Sequence, residues 1–203
     1  QLMRTILYST EKIWSDDNIF DVKSEDKENA ESNLKKEDKT ETVDLLLKKP
    51  RIGINLFTIQ DNYGYTLLIC ALENGNVEII ISLLQQKGIE ESFTIKTYDD
   101  DTPLMFAIKQ DNIQIVKILL QQEDIDLNKQ NEEGYTPLPF AMLEGHREIV
   151  ILLLQRGANA NDFNFDDFDF SETNLHYIEI NNGSFVNAKF VNANLSNAKF
   201  AEC

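Results

Sequence analysis

The chain has 203 residues, a net charge of −16 and two cysteines, Cys70 and Cys203. The acid excess argues against a nucleic-acid backbone or an anionic membrane as the main partner, so direct nucleic-acid binding is not expected. Two isolated cysteines exclude a disulfide scaffold and point to a reducing compartment such as the cytoplasm, and no apolar run reaches the roughly 18 residues of a membrane span.

Residues 1–14 place Leu2, Met3, Ile6, Leu7, Ile13 and Trp14 on one helical stripe. The opening lacks a basic segment followed by an apolar core, so no signal peptide is read there, and a first residue other than Met points to a fragment. Residues 15–42 hold ten acids and five lysines with few apolar groups, and read as a flexible connection or a solvated helix. Val43, Leu45, Leu46 and Leu47 then give a short apolar helix. Together residues 1–28 are expected to form an N-terminal helix and acidic connection, with residues 29–60 a degenerate, polar outer unit.

From Asp61 a phrase recurs at about 35 residues. It reads Tyr65-Thr66-Leu67-Leu68, then Asp101-Thr102-Pro103-Leu104, then Tyr135-Thr136-Pro137-Leu138. Alanine follows each threonine by five residues (Ala71, Ala107, Ala141), and Gly75, Asp111 and Gly145 follow by nine. Leucine pairs close the units at Leu83-Leu84, Leu119-Leu120 and Leu152-Leu153. Each unit is predicted to be a helix, a tight turn and a second helix. Threonine caps the first helix, proline takes its first position, and the glycine or aspartate ends it in the left-handed conformation. The Ile, Val and Leu positions bury the second helix.

After Asn161 the period drops to five, with Phe165, Phe170, Leu175, Ile180, Phe185, Phe190, Leu195 and Phe200 as centres. Two positions before them stand Phe163, Phe168, Thr173, Ile178, Gly183, Ala188, Ala193 and Ala198. A period of five fits neither an α-helix nor a flat strand, and suits a square coil with one pentad per side. The centre and its small predecessor point inward. The bulky Phe163, Phe168 and Ile178 are read as a plug against which the preceding helices pack in one rigid body.

The long unit resembles the ankyrin repeat family, and the pentads resemble the pentapeptide-repeat family, a right-handed quadrilateral β-helix. The fold expected is mainly α: an ankyrin-repeat helical solenoid over 29–161 (units 29–60, 61–97, 98–130 and 131–161), capped by a short β-helix over 162–203. Two features depart from the ankyrin pattern. Ile69, Met105 and Pro139 stand where the family has histidine, and the connection Ile89–Ile95 is longer than the family turn. Cys203 falls on the next small inward position, which suggests either a continuing coil or end-to-end self-association through an exposed last coil.

Chemistry is hard to find. His146 sits where the ankyrin pattern has a structural histidine, His176 should face solvent, and no nucleophile has a base in its context. The acids Asp162, Asp166, Asp167 and Asp169 lack the glycine and terminal glutamate of a calcium loop. No enzyme, metal or cofactor is expected. In ankyrin proteins the turn tips and first helices form the concave binding surface, so the resemblance assigns a partner-binding role to Tyr63, Tyr65, Tyr98, Asp99, Asp100, Glu132, Glu133 and Tyr135. First-helix positions Glu73, Asn74, Lys109, Gln110 and Glu144 should line the same groove. Tyrosines supply contact area and the acids favour a basic protein partner. The expected function is a non-catalytic protein-interaction scaffold. A different reading, implied by the pentapeptide resemblance, is an acidic β-helix that imitates duplex DNA and blocks a DNA enzyme. The Asn-, Ile- and Lys-rich composition resembles proteins of AT-rich genomes, including bacteria that secrete ankyrin proteins into a host, which raises an effector role.

Overall fold

A computed structural model describes residues 57–61 and 63–203. The expected N-terminal helix, the acidic connection, nearly all of the outer unit and Asn62 lie outside the described residues. The chain divides into two compact units between Tyr98 and Asp99.

In the first unit α1 (Leu67–Asn74) and α2 (Val77–Leu84) pack on one another. Thr66 caps α1, its hydroxyl accepting from the Ile69 amide at 3.4 Å, and Gly75 ends it at φ 64°. Asn76 caps α2 by accepting from the Ile79 amide at 3.0 Å. Leu68, Ile69, Cys70, Ala71, Ile79, Ile80 and Leu83 are wholly buried between and beneath the pair. The connection that fits no family turn is a 3-10 helix, Ile89–Thr94, docked on α2 with Ile89 and Phe93 buried. Ser92, also buried, donates its hydroxyl to the Ile89 carbonyl at 2.7 Å, so its polar group is satisfied.

The second unit repeats the plan twice and then changes it. Helices α3 (Pro103–Lys109), α4 (Ile113–Leu119), α5 (Pro137–Leu143) and α6 (Arg147–Gln155) pack α3 on α4 and α5 on α6, with α5 stacked on α3 and α6 on α4. Asp111 holds φ 49° at the end of α3, doing the work of glycine, and Asn112 caps α4 through the Ile115 amide at 3.1 Å. The threonine cap, however, appears at α3 and not at α5. Thr102 accepts from the Met105 amide at 3.3 Å, whereas Thr136 makes no such bond. The residue that would donate to Thr136 is Pro139, which has no N–H. Expecting a cap at all three threonines was wrong for that one.

Beyond α6 the chain returns beside itself every 20 residues. Parallel bridges pair Asn164 with Ser184, Asp169 with Lys189 and Asn174 with Asn194. Strands β1 (Glu179–Asn181) and β2 (Lys199–Ala201) pair Ile180 with Phe200. One residue per pentad adopts positive φ: Asp162, Asp167, Glu172, Tyr177, Asn182, Asn187, Asn192, Asn197 and Glu202. That left-handed residue turns the chain at each corner, and asparagine and the acids tolerate it better than bulkier types. The conformational period starts one pentad before the sequence period, because Ala158 and Ala160 are buried and Asp162 already turns a corner.

Inside the coil, Phe165 stacks under Phe185 with centroids 5.3 Å apart and Phe170 under Phe190 at 5.0 Å. Phe163 and Phe168 join this aromatic cluster, 5.4 Å from Phe165 and 4.5 Å from Phe170. The bonds from α6 to the coil are polar. Arg147 donates from Nε to the Asp169 carbonyl and from Nη2 to the Ser171 carbonyl at 2.8 Å, and Gln155 donates to the Asn174 carbonyl at 2.6 Å. In the coil above, the equivalent carbonyls of Lys189, Val191 and Asn194 take backbone amides from Phe170, Glu172 and Leu175. Helix α6 thus supplies side-chain donors where a lower coil would supply amides. At the other end Leu195 and Phe200 remain 37% exposed.

Candidate functional site

The turn tips are built by one short-range device. Asp61 Oδ1 accepts the amides of Tyr63 and Tyr65 at 2.8 and 2.9 Å, and the backbone closes with Asp61 N to Tyr65 O and Gly64 N to Asp61 O. Asn131 does the same for Tyr135 at 2.9 Å, with Gly134 at the left-handed corner. An acceptor at the first position and glycine at the fourth are what such a turn needs. The intermediate tip puts Asp100 at that corner with φ 63°.

Within the first unit this places Tyr63 and Tyr98 side by side. The Tyr98 amide donates to the Tyr63 carbonyl at 3.4 Å, and Gln60 ties the turn down by donating to the carbonyls of Gly64 and Lys96. Gly64 lets the Tyr98 backbone approach: a Cβ there would lie 2.6 Å from the Tyr98 nitrogen. Both rings project, Tyr63 65% and Tyr98 68% exposed, from backbone tied by these bonds. Tyr65 is half-buried with its ring centroid 6.1 Å from that of Tyr63. Glu73 and Asn74 are exposed at the end of α1, although the Asn74 amide is spent on the Cys70 carbonyl at 2.7 Å.

In the second unit Asp99, Lys109, Gln110, Glu132, Glu133, Tyr135 and Glu144 are exposed, and Asp100 is half-buried. Lys109 is not free to reach outward, because its ammonium bonds Asp101 at 3.1 Å. Burial pushes the Asp101 carboxyl above its ordinary pKa against the pull of Lys109, and the hydrogen bond to Asp101 raises that of Lys109. Leu143, at the position matching Lys109 and Glu73 in the other units, is 62% exposed and was missed by the sequence reading. The signal was present, since the repeat alignment puts Leu143 seven residues after its threonine, on the first-helix surface.

The acids of the coil serve its corners. Asp162, Asp167 and Glu172 accept from the side chains of Asn182, Asn187 and Asn192 one coil higher, and Asp166 accepts from the Val186 amide at 2.7 Å. Asp169 is held below its ordinary pKa by the Ser171 hydrogen bonds. His146 stands at the start of α6 with Nδ1 3.3 Å from Asp111. Among the described residues no group of histidine, cysteine and acid could hold a metal, and no helix is long and apolar enough to cross a membrane.

Residues 89–164 match the family model described as ankyrin repeats, in three copies. The chain is also similar to "Regulatory protein NPR4" of Arabidopsis thaliana, 49% identical over 41 residues. That stretch covers 20% of this chain and 7% of that protein. The helical repeats of residues 89–164 are therefore ankyrin repeats, a module for protein–protein interaction.

Proposed function

We propose that the chain is a non-catalytic scaffold that binds a basic protein through its turn tips and first-helix positions. The observation that carries this reading is the pair Tyr63 and Tyr98, two amphipathic rings mostly exposed on a turn whose backbone is bonded through Asp61, Gln60 and Gly64. Large rings on a preorganised backbone lose little entropy on binding. The second unit offers Tyr135 and Leu143 among Glu132, Glu133 and Glu144. A net charge of −16 would speed encounter with a basic target. The C-terminal pentads are read as a right-handed quadrilateral β-helix of the pentapeptide kind, supported by the pairing at 20 residues and the left-handed corner in every pentad. Its part in this proposal is to cover the last ankyrin helices. Replacing Tyr63 and Tyr98 together by alanine is expected to abolish capture of the partner at an unchanged melting temperature. Undiminished capture by that double variant, identified by mass spectrometry, would sink the reading.

A further inference from the structure

Three corners of the coil carry the same rung, an asparagine donating to an acid 20 residues earlier: Asn182 to Asp162, Asn187 to Asp167 and Asn192 to Glu172, at 3.1, 3.2 and 2.7 Å. The fourth corner departs from it. Tyr177 stands below Asn197, and no side-chain bond joins them among the described residues. Tyr177 holds φ 63°, a backbone conformation that an aromatic residue adopts at a cost, and burial does not offset that cost because the side chain is 71% exposed. The ring has one neighbour on its own side of the coil. Its centroid lies 3.8 Å from that of His176, whose Nδ1 is 3.2 Å from the Ser196 hydroxyl. The fold imposes this φ at every corner, but only here does an exposed aromatic bear it, and costly residues of this kind concentrate at binding sites.

The charge around the ring says what the contact is. The side that carries Tyr177 holds Asn174, His176, Asn194, Ser196 and Asn197, with no carboxylate or ammonium. All seven acids of residues 162–203 lie on the other sides, against two lysines. The next side opens with the ion pair of Lys199 and Glu179 at 3.4 Å, so a cation drawn to the coil by its net field meets an uncharged side with an open ring face at Tyr177. We infer that Tyr177 anchors a docking site for an arginine side chain of a basic protein segment, with the Asn197 amide as a hydrogen-bond acceptor beside it. Arginine suits the site because its planar, weakly hydrated guanidinium stacks on aromatic faces while donating in its own plane. The inference rests on the proposed basic partner but on none of the turn tips.

The test uses the full chain and a fluorescein-labelled peptide of alternating arginine and glycine, followed by fluorescence anisotropy. Tyr177→Asn removes the ring and places at the corner a residue at home there, so the melting temperature is expected to rise. The same variant should weaken the peptide by about three- to fivefold, the range of an exposed cation–π contact. Tyr177→Phe keeps the ring and should bind like the parent chain. Equal affinity of Tyr177→Asn and the parent overturns the site, and so does a loss with Tyr177→Phe. A peptide weakened by Tyr63→Ala but not by Tyr177→Asn overturns this site and leaves the turn-tip reading standing. The reverse result supports this site and removes the tips as the place where this peptide binds.

Discussion

The junction between α6 and the first coil can be broken without touching either core. Arg147 and Gln155 bond the carbonyls of Asp169, Ser171 and Asn174, and the residues 20 positions later take backbone amides at the same places. Arg147→Met keeps the aliphatic stem and deletes two donors; Gln155→Leu deletes the third. A hydrogen bond from a charged donor is worth about 1.5–3 kcal/mol and a neutral one about 1 kcal/mol. These bonds are exposed, so water recovers part of each loss. The net expectation is about 2 kcal/mol for Arg147→Met, about 1 kcal/mol for Gln155→Leu and about 3 kcal/mol for both. Urea unfolding measures the loss, and amide hydrogen exchange should show first-coil protection falling ahead of α3 and α4. Lys117→Met serves as control, because its 3.0 Å pair with Glu148 is exposed on both sides and worth well under 1 kcal/mol. A double variant with the parent's urea midpoint and unchanged protection of the coil would refute the view that α6 replaces a lower coil.

The remaining expectations concern single positions. Thr102→Ala should cost about 1 kcal/mol and Thr136→Ala only a few tenths, since Pro139 denies the second threonine its donor; equal losses in urea unfolding would contradict this. Gly64→Ala should cost more than 2 kcal/mol, roughly the left-handed penalty plus a displaced Tyr98 backbone, whereas Gly145→Ala, with open space around it, should cost only about 1–2 kcal/mol. Asp169 has its pKa lowered by Ser171, so its contribution is complete above the unfolded value of 3.8 and is lost as pH falls through the folded value below it. Asp169→Asn should accordingly flatten the acid limb of the melting-temperature profile below that pH, and an unchanged limb would count against the Ser171 bonds.

The helical repeats were legible because each carries several local signals in phase. A capping threonine, a small residue mid-helix, a left-handed terminator and paired leucines specify neighbouring backbone, and the folded unit adds little that contradicts them. Asn76 and Asn112 were equally legible as caps, each directly following a helix terminator, but were passed over. The Thr136 exception was also readable, since Pro139 lies three residues on. What sequence alone could not give is the set of pairings across the coil. A square coil with one pentad per side already implies neighbours 20 apart, but which of those side chains bond, as the asparagine–acid rungs do, shows only in the folded chain. The first pentad was hidden because its centre is Ala160, too small to register in a count of large apolar residues. Arg147 and Gln155 look like ordinary surface residues until the coil's open carbonyls are set against α6. For the candidate surface, the tyrosines were visible as residue types, while the tether on Lys109 and the exposure of Leu143 depend on packing around each helix.

The left-handed corner in every pentad also sets what lengths of inserted sequence the coil can absorb. One extra residue between Asn182 and Phe185 would move every later corner onto a residue not chosen for it. It would bring Lys189 and Lys199 toward the interior and carry Phe190 and Phe200 outward. Five extra residues would preserve the repeat but shift each later side by a quarter turn, so that Phe165 no longer lay beneath Phe185. Twenty would restore every vertical pair. Length variation in this segment should therefore come in multiples of five, with whole turns of 20 tolerated best, and a library of random insertions should recover folded chains in the same order.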